Sequence, residues 1–353
     1  MSELALGDAD ATGRWMGVPR LQVALVLTAL VTGAEWAVTS RAPTLLLVVA
    51  VGALVGAVPG PDGSTVAGVA VALVGYHCRS HWWRASAVVL GEDVALWAGG
   101  EVAFRGYRLE HRGRLDLAGR DRDVARDLAA ALDAASAGGG HHVSVYVAPT
   151  SAGLATLLCL PPNLAAPGGW RLDPDLALTV VGVNSSTPTT RLLERVSYLR
   201  GDDHVARVYR VRDFSGVPAG HGLLERLLRS PTPKEVSVHV DVVASARAHR
   251  LAARAVHRVD SDGDARASIG FRRSARAARD AARLSEREDL VAAGRALVRL
   301  TVVVVVRGSS LDDVRARGAA LWHDAHDAGL RLERGWGRQA PWYRAHLPGG
   351  LGW

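Results

Sequence analysis

This sequence predicts an α+β fold carried behind a two-helix membrane hairpin, and three observations carry the prediction. Leu21–Val38 and Ala42–Val58 are two apolar runs with only Thr39, Ser40 and Arg41 between them. From Ala87 onward the apolar residues change rhythm, alternating over short stretches and recurring at helical spacing over others, as strands and packed helices require. Finally, Leu297–Val306 contains five consecutive valines, a run that belongs to a central strand buried on both faces.

The hairpin comes first because its solvent decides everything else. Each run approaches the roughly 17–25 residues that carry a helix across a bilayer, and two helices joined by a minimal turn satisfy their backbone polar groups within lipid. Glu35 is the only charge in either run. A helical pair in a soluble core would show a polar stripe every few residues, and neither run does. Arg14 and Arg20 flank the first helix, Arg79 and Arg84 lie beyond the second, and Arg41 alone occupies the loop. By the positive-inside rule both ends face the cytoplasm. With no small-residue cleavage pattern after the first run, the expectation is a multi-pass protein of the inner (cytoplasmic) membrane.

In chain order, residues 1–20 read as a disordered cytoplasmic tail, 21–58 as the transmembrane hairpin, and 59–85 as a turn with an interfacial helix. Pro59-Gly60-Pro61-Asp62-Gly63 must break the second helix. Ser64–Tyr76 then resumes an apolar run that is short for a crossing and ends in His77-Cys78-Arg79-Ser80-His81-Trp82-Trp83-Arg84. Trp beside Arg at a helix end is the pattern of a headgroup anchor, so Trp82, Trp83, Arg79 and Arg84, with Trp36 in the hairpin, are the expected anchors to membrane lipid. A third crossing competes with this reading.

Residues 86–200 form a first α+β segment and 201–353 a second. In the first, strands are expected at Ala87–Leu90, Val94–Trp97, Glu101–Leu109 and Val143–Ala148, with a helix over Arg122–Ala137. Pro149–Trp170 reads as loops around one short apolar stretch, Leu176–Val183 as a strand and Thr187–Tyr198 as a helix. The second segment is more rhythmic. Val205–Val211 is a strand and Gly222–Leu228 a short helix; Glu235–Val243 places its valines on one face and Ser237, His239 and Asp241 on the other. Helices follow at Ser245–Val259 and Ala265–Gly294, the second breakable near Gly270. After the valine strand, Ser310 caps a helix with Asp313 at the capping-box position, whose buried stripe is Leu311, Val314, Gly318, Leu321, Trp322 and Ala325. Leu330–Trp336 is the last strand. Strand–helix–strand units of these lengths predict a ferredoxin-like α+β arrangement.

Candidate chemistry is sparse. The charge of +7 and pI near 10.1 come from arginine, because Lys234 is the only lysine. Without Gly before it or Ser/Thr after it, Pro233-Lys234-Glu235 is not a phosphate-cradling loop, which excludes a P-loop ATPase. His323 and His326, with Asp327, have helical i,i+3 spacing open to a metal reading, against a solvated helix face. Glu35 reads either as an intramembrane carboxylate or as a side chain snorkelling beside Trp36. Arginines over Arg247–Arg287 suit a lipid or nucleic-acid patch, or a self-paired face given Asp280, Glu286, Glu288 and Asp289; no nucleic-acid motif accompanies them. His141-His142 reads as a loop-to-strand junction. Cys78 and Cys159 lack metal-ligand spacing. No catalytic residue, metal or cofactor is assigned, and the chain is expected to be a non-enzyme; a membrane-anchored enzyme or a DNA-handling adaptor is the alternative of another class.

Two stretches carry a family resemblance: Arg287-Glu288-Asp289-Leu290-Val291-Ala292-Ala293-Gly294 before the apolar strand, and Gly329–Gln339 leading to Leu347-Pro348-Gly349-Gly350-Leu351. They resemble the N-terminal, non-motor region of actinobacterial conjugation-type (type IV secretion) membrane ATPases. Arg295 stands where that family often has His, and Gly349-Gly350 replaces its Leu-Gly. The front resembles the small two-helix inner-membrane subunit of type IV systems, fused ahead of the soluble part. The resemblance implies an oligomeric membrane platform that docks a separate secretion ATPase and other membrane subunits. The E component of type VII secretion shares the plan and is the alternative.

Overall fold

The computed structural model describes short strands at 5–7, 14–15 and 18–19 and most of 66–347, apart chiefly from 79–81, 98–100, 110–131, 182–188, 214–226 and 269–274. The hairpin over 21–58, with Glu35 and Trp36, and the anchor Arg79 lie outside the described residues. Among the described residues no helix is long and apolar enough to cross a membrane.

The strands are β1 (Ala5–Gly7), β2 (Arg14–Trp15), β3 (Val18–Pro19), β4 (Trp82–Leu90), β5 (Asp93–Trp97), β6 (Glu101–Leu109), β7 (His142–Thr150), β8 (Gly153–Leu160), β9 (Trp170–Leu172), β10 (Thr189–Glu194), β11 (Leu199–Arg200), β12 (Val205–Asp213), β13 (Glu235–Val243), β14 (Leu297–Gly308) and β15 (Arg331–Arg334). The helices are α1 (Val66–His77), α2 (Pro174–Val181), α3 (Ser245–Ser268), α4 (Ala275–Ala292), α5 (Leu311–Asp327) and α6 (Gln339–His346). The protein is α+β, and its main sheet is antiparallel except where β1 runs parallel to the start of β14.

Strand pairing closes on itself. The order β14-β13-β7-β8-β6-β5-β4-β10-β11-β12 returns to β14, because Val205–Arg210 pairs with Val303–Gly308. A closed sheet removes its own edges and encloses an interior, here filled by α6. Ala340, Trp342 and Tyr343 of α6 share one core with Ala87, Leu96, Phe104, Leu157, Leu192, Leu199, Val208 and Val305. The valine run of β14 is buried on both sides as its composition requires. Val303 and Val305 point to α6, whereas Val302, Val304 and Val306 pack with Leu321 and Ala325 of α5.

Around β14 the order is β15-β12-β14-β13, all antiparallel. The β13–β14 connection is not a tight turn but the pair α3–α4. Ala248 and Ala252 of α3 and Val291 of α4 root that pair against Leu297. Farther out, none of the described residues of either helix is buried, so the pair stands off the sheet as an arm. At about 1.5 Å per residue α3 is roughly 36 Å long.

Several elements differ from the sequence reading. Trp82, Trp83 and Arg84 do not end a helix: α1 stops at His77, and these three are strand residues paired with Leu193, Leu192 and Arg191 of β10. The Trp-rich, β-branched stretch they begin is better satisfied in a pleated sheet than in a helix. Within the expected strand Leu176–Val183, the described residues to Val181 are helical as α2, started by the Asp173 carboxylate, which accepts from the Leu176 N–H at 2.9 Å. Thr189–Glu194 is a strand, placed by its β4 partner. The apolar stretch between the prolines is β8, a full ladder partner of β7. In the arm, α3 runs on through Asp260–Gly263 to Ser268, without the gap expected between Val259 and Ala265, and α4 begins at Ala275; the break expected near Gly270 lies outside the described residues.

Candidate functional site

β13 brings alternate polar residues onto the face that the closed sheet turns inward. Glu235, Ser237, His239 and Asp241 alternate with valines, and cross-strand register sets them beside β7: Ser237 opposite Tyr146, His239 opposite Ser144, Asp241 opposite His142. In most sheets such a face would meet water. Here α6 lies on it, and the result is a buried chain of ionisable groups.

At one end, the Asp241 carboxylate and His142 Nδ1 are 2.6 Å apart, and His142 Nε2 is 3.2 Å from His239 Nδ1. The two imidazoles are stacked, and Tyr146 meets both His239 and His346 edge-on. At the other end, His346 Nδ1 is 2.8 Å from Ser237 Oγ and its Nε2 3.4 Å from Glu235 Oε2. Arg307 of β14 donates to Glu235 through Nη2 at 3.1 Å, with its Nε 2.7 Å from the other carboxylate oxygen. Arg307 also donates to the Tyr343 hydroxyl at 2.8 Å, and its Nη1 is 3.0 Å from His204 Nε2.

The chemistry of these groups follows from their surroundings. Burial pushes the Glu235 carboxyl up, but Arg307 and His346 outweigh it and hold it at about 2. Burial lowers His239 well below the usual histidine range, with His142 and His346 adding to the effect, and burial also lowers His346 against the pull of Glu235. Both imidazoles are therefore neutral at physiological pH. Cys159, opposite Ser144 on β8, is buried, and burial pushes its thiol up, away from the thiolate form. His346 is 1 % and His239 3 % exposed. The geometry is that of a clamp between sheet and α6: it is part-open at both ends, at Asp241–His142 and at Glu235–Arg307, while His239 Nε2, Ser144 Oγ and the Tyr146 hydroxyl are buried in its middle without a hydrogen-bond partner among the described residues.

Other contacts seat the same helix. Gln339 enters the sheet as a backbone surrogate, its Oε1 accepting from the Val208 N–H at 2.8 Å while Nε2 donates to the Gly335 carbonyl at 2.9 Å. The first turn of α6 has no side-chain cap of its own; Glu194 of β10 supplies one, accepting from the Ala340 N–H at 2.9 Å, where the helix dipole favours negative charge. Tyr76 of α1 donates to the Glu194 carbonyl at 3.3 Å. Gly337, at φ +60°, lies so close to α1 that a Cβ there would meet the Ala72 carbonyl oxygen at 2.7 Å. α1 is thus seated on the turn that begins α6.

Of the residues singled out in the sequence, His323 and His326 are 80 % and 86 % exposed in their side chains and face only Asp327, at 3.4 and 3.8 Å. Among the described residues no group of three or more His, Cys, Asp or Glu is placed to hold a metal. Their neighbour Asp324 has a structural role, accepting from Ser230 and, at 3.0 Å, from Thr232. Lys234 folds back onto the carbonyls of Ser230 and Thr232, and burial lowers its pKa despite Asp324. Ser310 caps α5 as expected, accepting from the Asp313 N–H at 3.1 Å. Arg295 reaches Asp133 at 3.0 Å, tying the root of the arm to the short helical piece around Leu132. Sequence reasoning separated Ser237, His239 and Asp241 from the valines but missed Glu235, His142, Arg307 and His346, which only the pairing brings together. No family model matches the chain, and no curated protein matches it in sequence.

Proposed function

We propose that this chain is a non-enzymatic membrane platform subunit of a conjugation- or type IV-like secretion machine, docking a separate ATPase on the cytoplasmic face. The observation that carries the reading is the seat of α1. This helix is apolar on all sides, follows the two apolar runs of the sequence, and is packed by Ala72 and Tyr76 against the turn into α6 while Val74 is 64 % exposed. An apolar helix exposed on one side and fixed on the other is the form expected of a joint between lipid and a folded body. The burial of His239 and His346, 3 % and 1 % exposed, supports the non-enzymatic part, because neither imidazole is open to a substrate.

The order β15-β12-β14-β13 with helices between strands supports a ferredoxin-like core in 201–353, with α3–α4 inserted where such folds carry a short β-turn. Gln339 and the Leu347 end of the resembling segment both serve to bury α6, which gives that stretch a structural purpose.

Affinity purification of the full chain after mild detergent extraction tests the proposal. Recovery of a secretion or conjugation ATPase is the expected result, and the class of that ATPase separates the type IV reading from the type VII alternative. Recovery of the chain from the aqueous fraction without detergent, or of no such ATPase, overturns it.

A further inference from the structure

The arm carries a feature that platform docking does not use. Between Ser245 and Val259, α3 contains no acidic residue, and its basic residues are not scattered. Arg247, Arg250, Arg254 and Arg258 follow one another at intervals of three or four, so they fall on a single face, and all four are exposed. Ala248 and Ala252, by contrast, are buried at the root and define the packing face. The arginine stripe lies about a third of a turn from that face, on the solvent side. Among the described residues no ion pair engages Arg247, Arg250 or Arg254; Arg250 donates its Nε to the Ala246 carbonyl one turn back.

We infer that this stripe binds the phosphodiester backbone of nucleic acid without regard to sequence. Charge and spacing argue for that occupant. The guanidiniums of Arg247, Arg250 and Arg254 rise about 11 Å along the helix at 1.5 Å per residue, a straight row that meets about three phosphates of a strand advancing 3.4 Å each. A protein partner would call for an apolar or aromatic anchor at the centre of the contact. The outward face of α3 offers arginine, histidine and alanine instead. An anionic lipid surface would share the charge attraction, and phosphatidylglycerol vesicles are therefore the competing arm of the test.

The test uses the full-length chain in neutral detergent and fluorescence anisotropy of a labelled mixed-sequence oligonucleotide of about 20 nucleotides, single-stranded and duplex, between about 50 and 200 mM salt. The expected result is binding whose log–log salt slope is about −2 to −3, from three neutralised phosphates. The triple variant R247Q/R250Q/R254Q, with an unchanged melting temperature, should lose most of that slope and weaken binding at least about tenfold at low salt. Arg331→Gln, an exposed arginine on β15, should leave binding within about twofold. Equal affinity and slope in the triple variant would overturn the inference. So would stripe-dependent binding to phosphatidylglycerol vesicles with none to the oligonucleotides.

Discussion

The clamp under α6 and the arm formed by α3 and α4 are built from the same residue types and behave in opposite ways. In the clamp, Tyr343 and His346 are buried and Glu235 and Arg307 part-buried between a sheet and a helix, and the two charges are paired with each other. On the arm, Arg247, Arg250 and Arg254 stand in water with no ion partner among the described residues. The difference is dielectric. A buried charge costs several kcal/mol to desolvate and must be compensated where it sits, so it becomes part of the fold. An exposed one is screened, contributes little to stability, and stays available to a polyanion. The comparison teaches that composition alone says nothing about whether an arginine holds the protein together or reaches out of it.

The largest effect should come from breaking the clamp. Arg307→Met leaves the Glu235 carboxylate without its main partner and should lower unfolding free energy by about 3 kcal/mol, measured by denaturant titration; a loss no larger than that of a surface arginine would erase the distinction between the two regions. Removing Gln339 comes next. Gln339→Ala strands the Val208 N–H and the Gly335 carbonyl in a dry interior and should cost about 1–3 kcal/mol. A third way to sharpen the comparison is pH. His239 and His346 are held below their ordinary range, so below about pH 6.5 the unfolded chain binds more protons than the folded one, and stability falls as pH falls. Glu235, held at about 2, adds a second loss between about pH 4.5 and 2 with the same sign. Melting temperatures at pH 7.5 and 5.5 should show the decline, and His239→Gln should reduce it, leaving the share of His346. The smallest effect belongs to the arm: Arg250→Gln should change stability by less than about 0.5 kcal/mol. Thiol labelling gives a parallel contrast, because native protein should react at exposed Cys78 and not at buried Cys159.

Legibility in the sequence followed the reach of the interaction. β13, β14 and the cap at Ser310 were readable because alternation, a valine run and a Ser-x-x-Asp pattern are local signals. β10 was misread as a helix because Thr189–Glu194 carries no alternation of its own and is a strand by virtue of β4. The site was half legible. Polar residues at every second position of β13 marked a face, but whether that face meets water or a helix depends on α6, about a hundred residues later.

By itself the sequence determined the α+β class, the doubly buried valine strand, the position of the α5 cap and a chain whose cations are nearly all arginine. Tertiary structure alone decided that the sheet closes, that α6 fills it, and that His142, His239, Glu235, Arg307 and His346 meet there. The physical reason is range: helix caps and strand periods are set by neighbours a few residues apart, whereas enclosure and desolvation depend on segments far apart in the chain, and those determine which charges are buried and which remain in water.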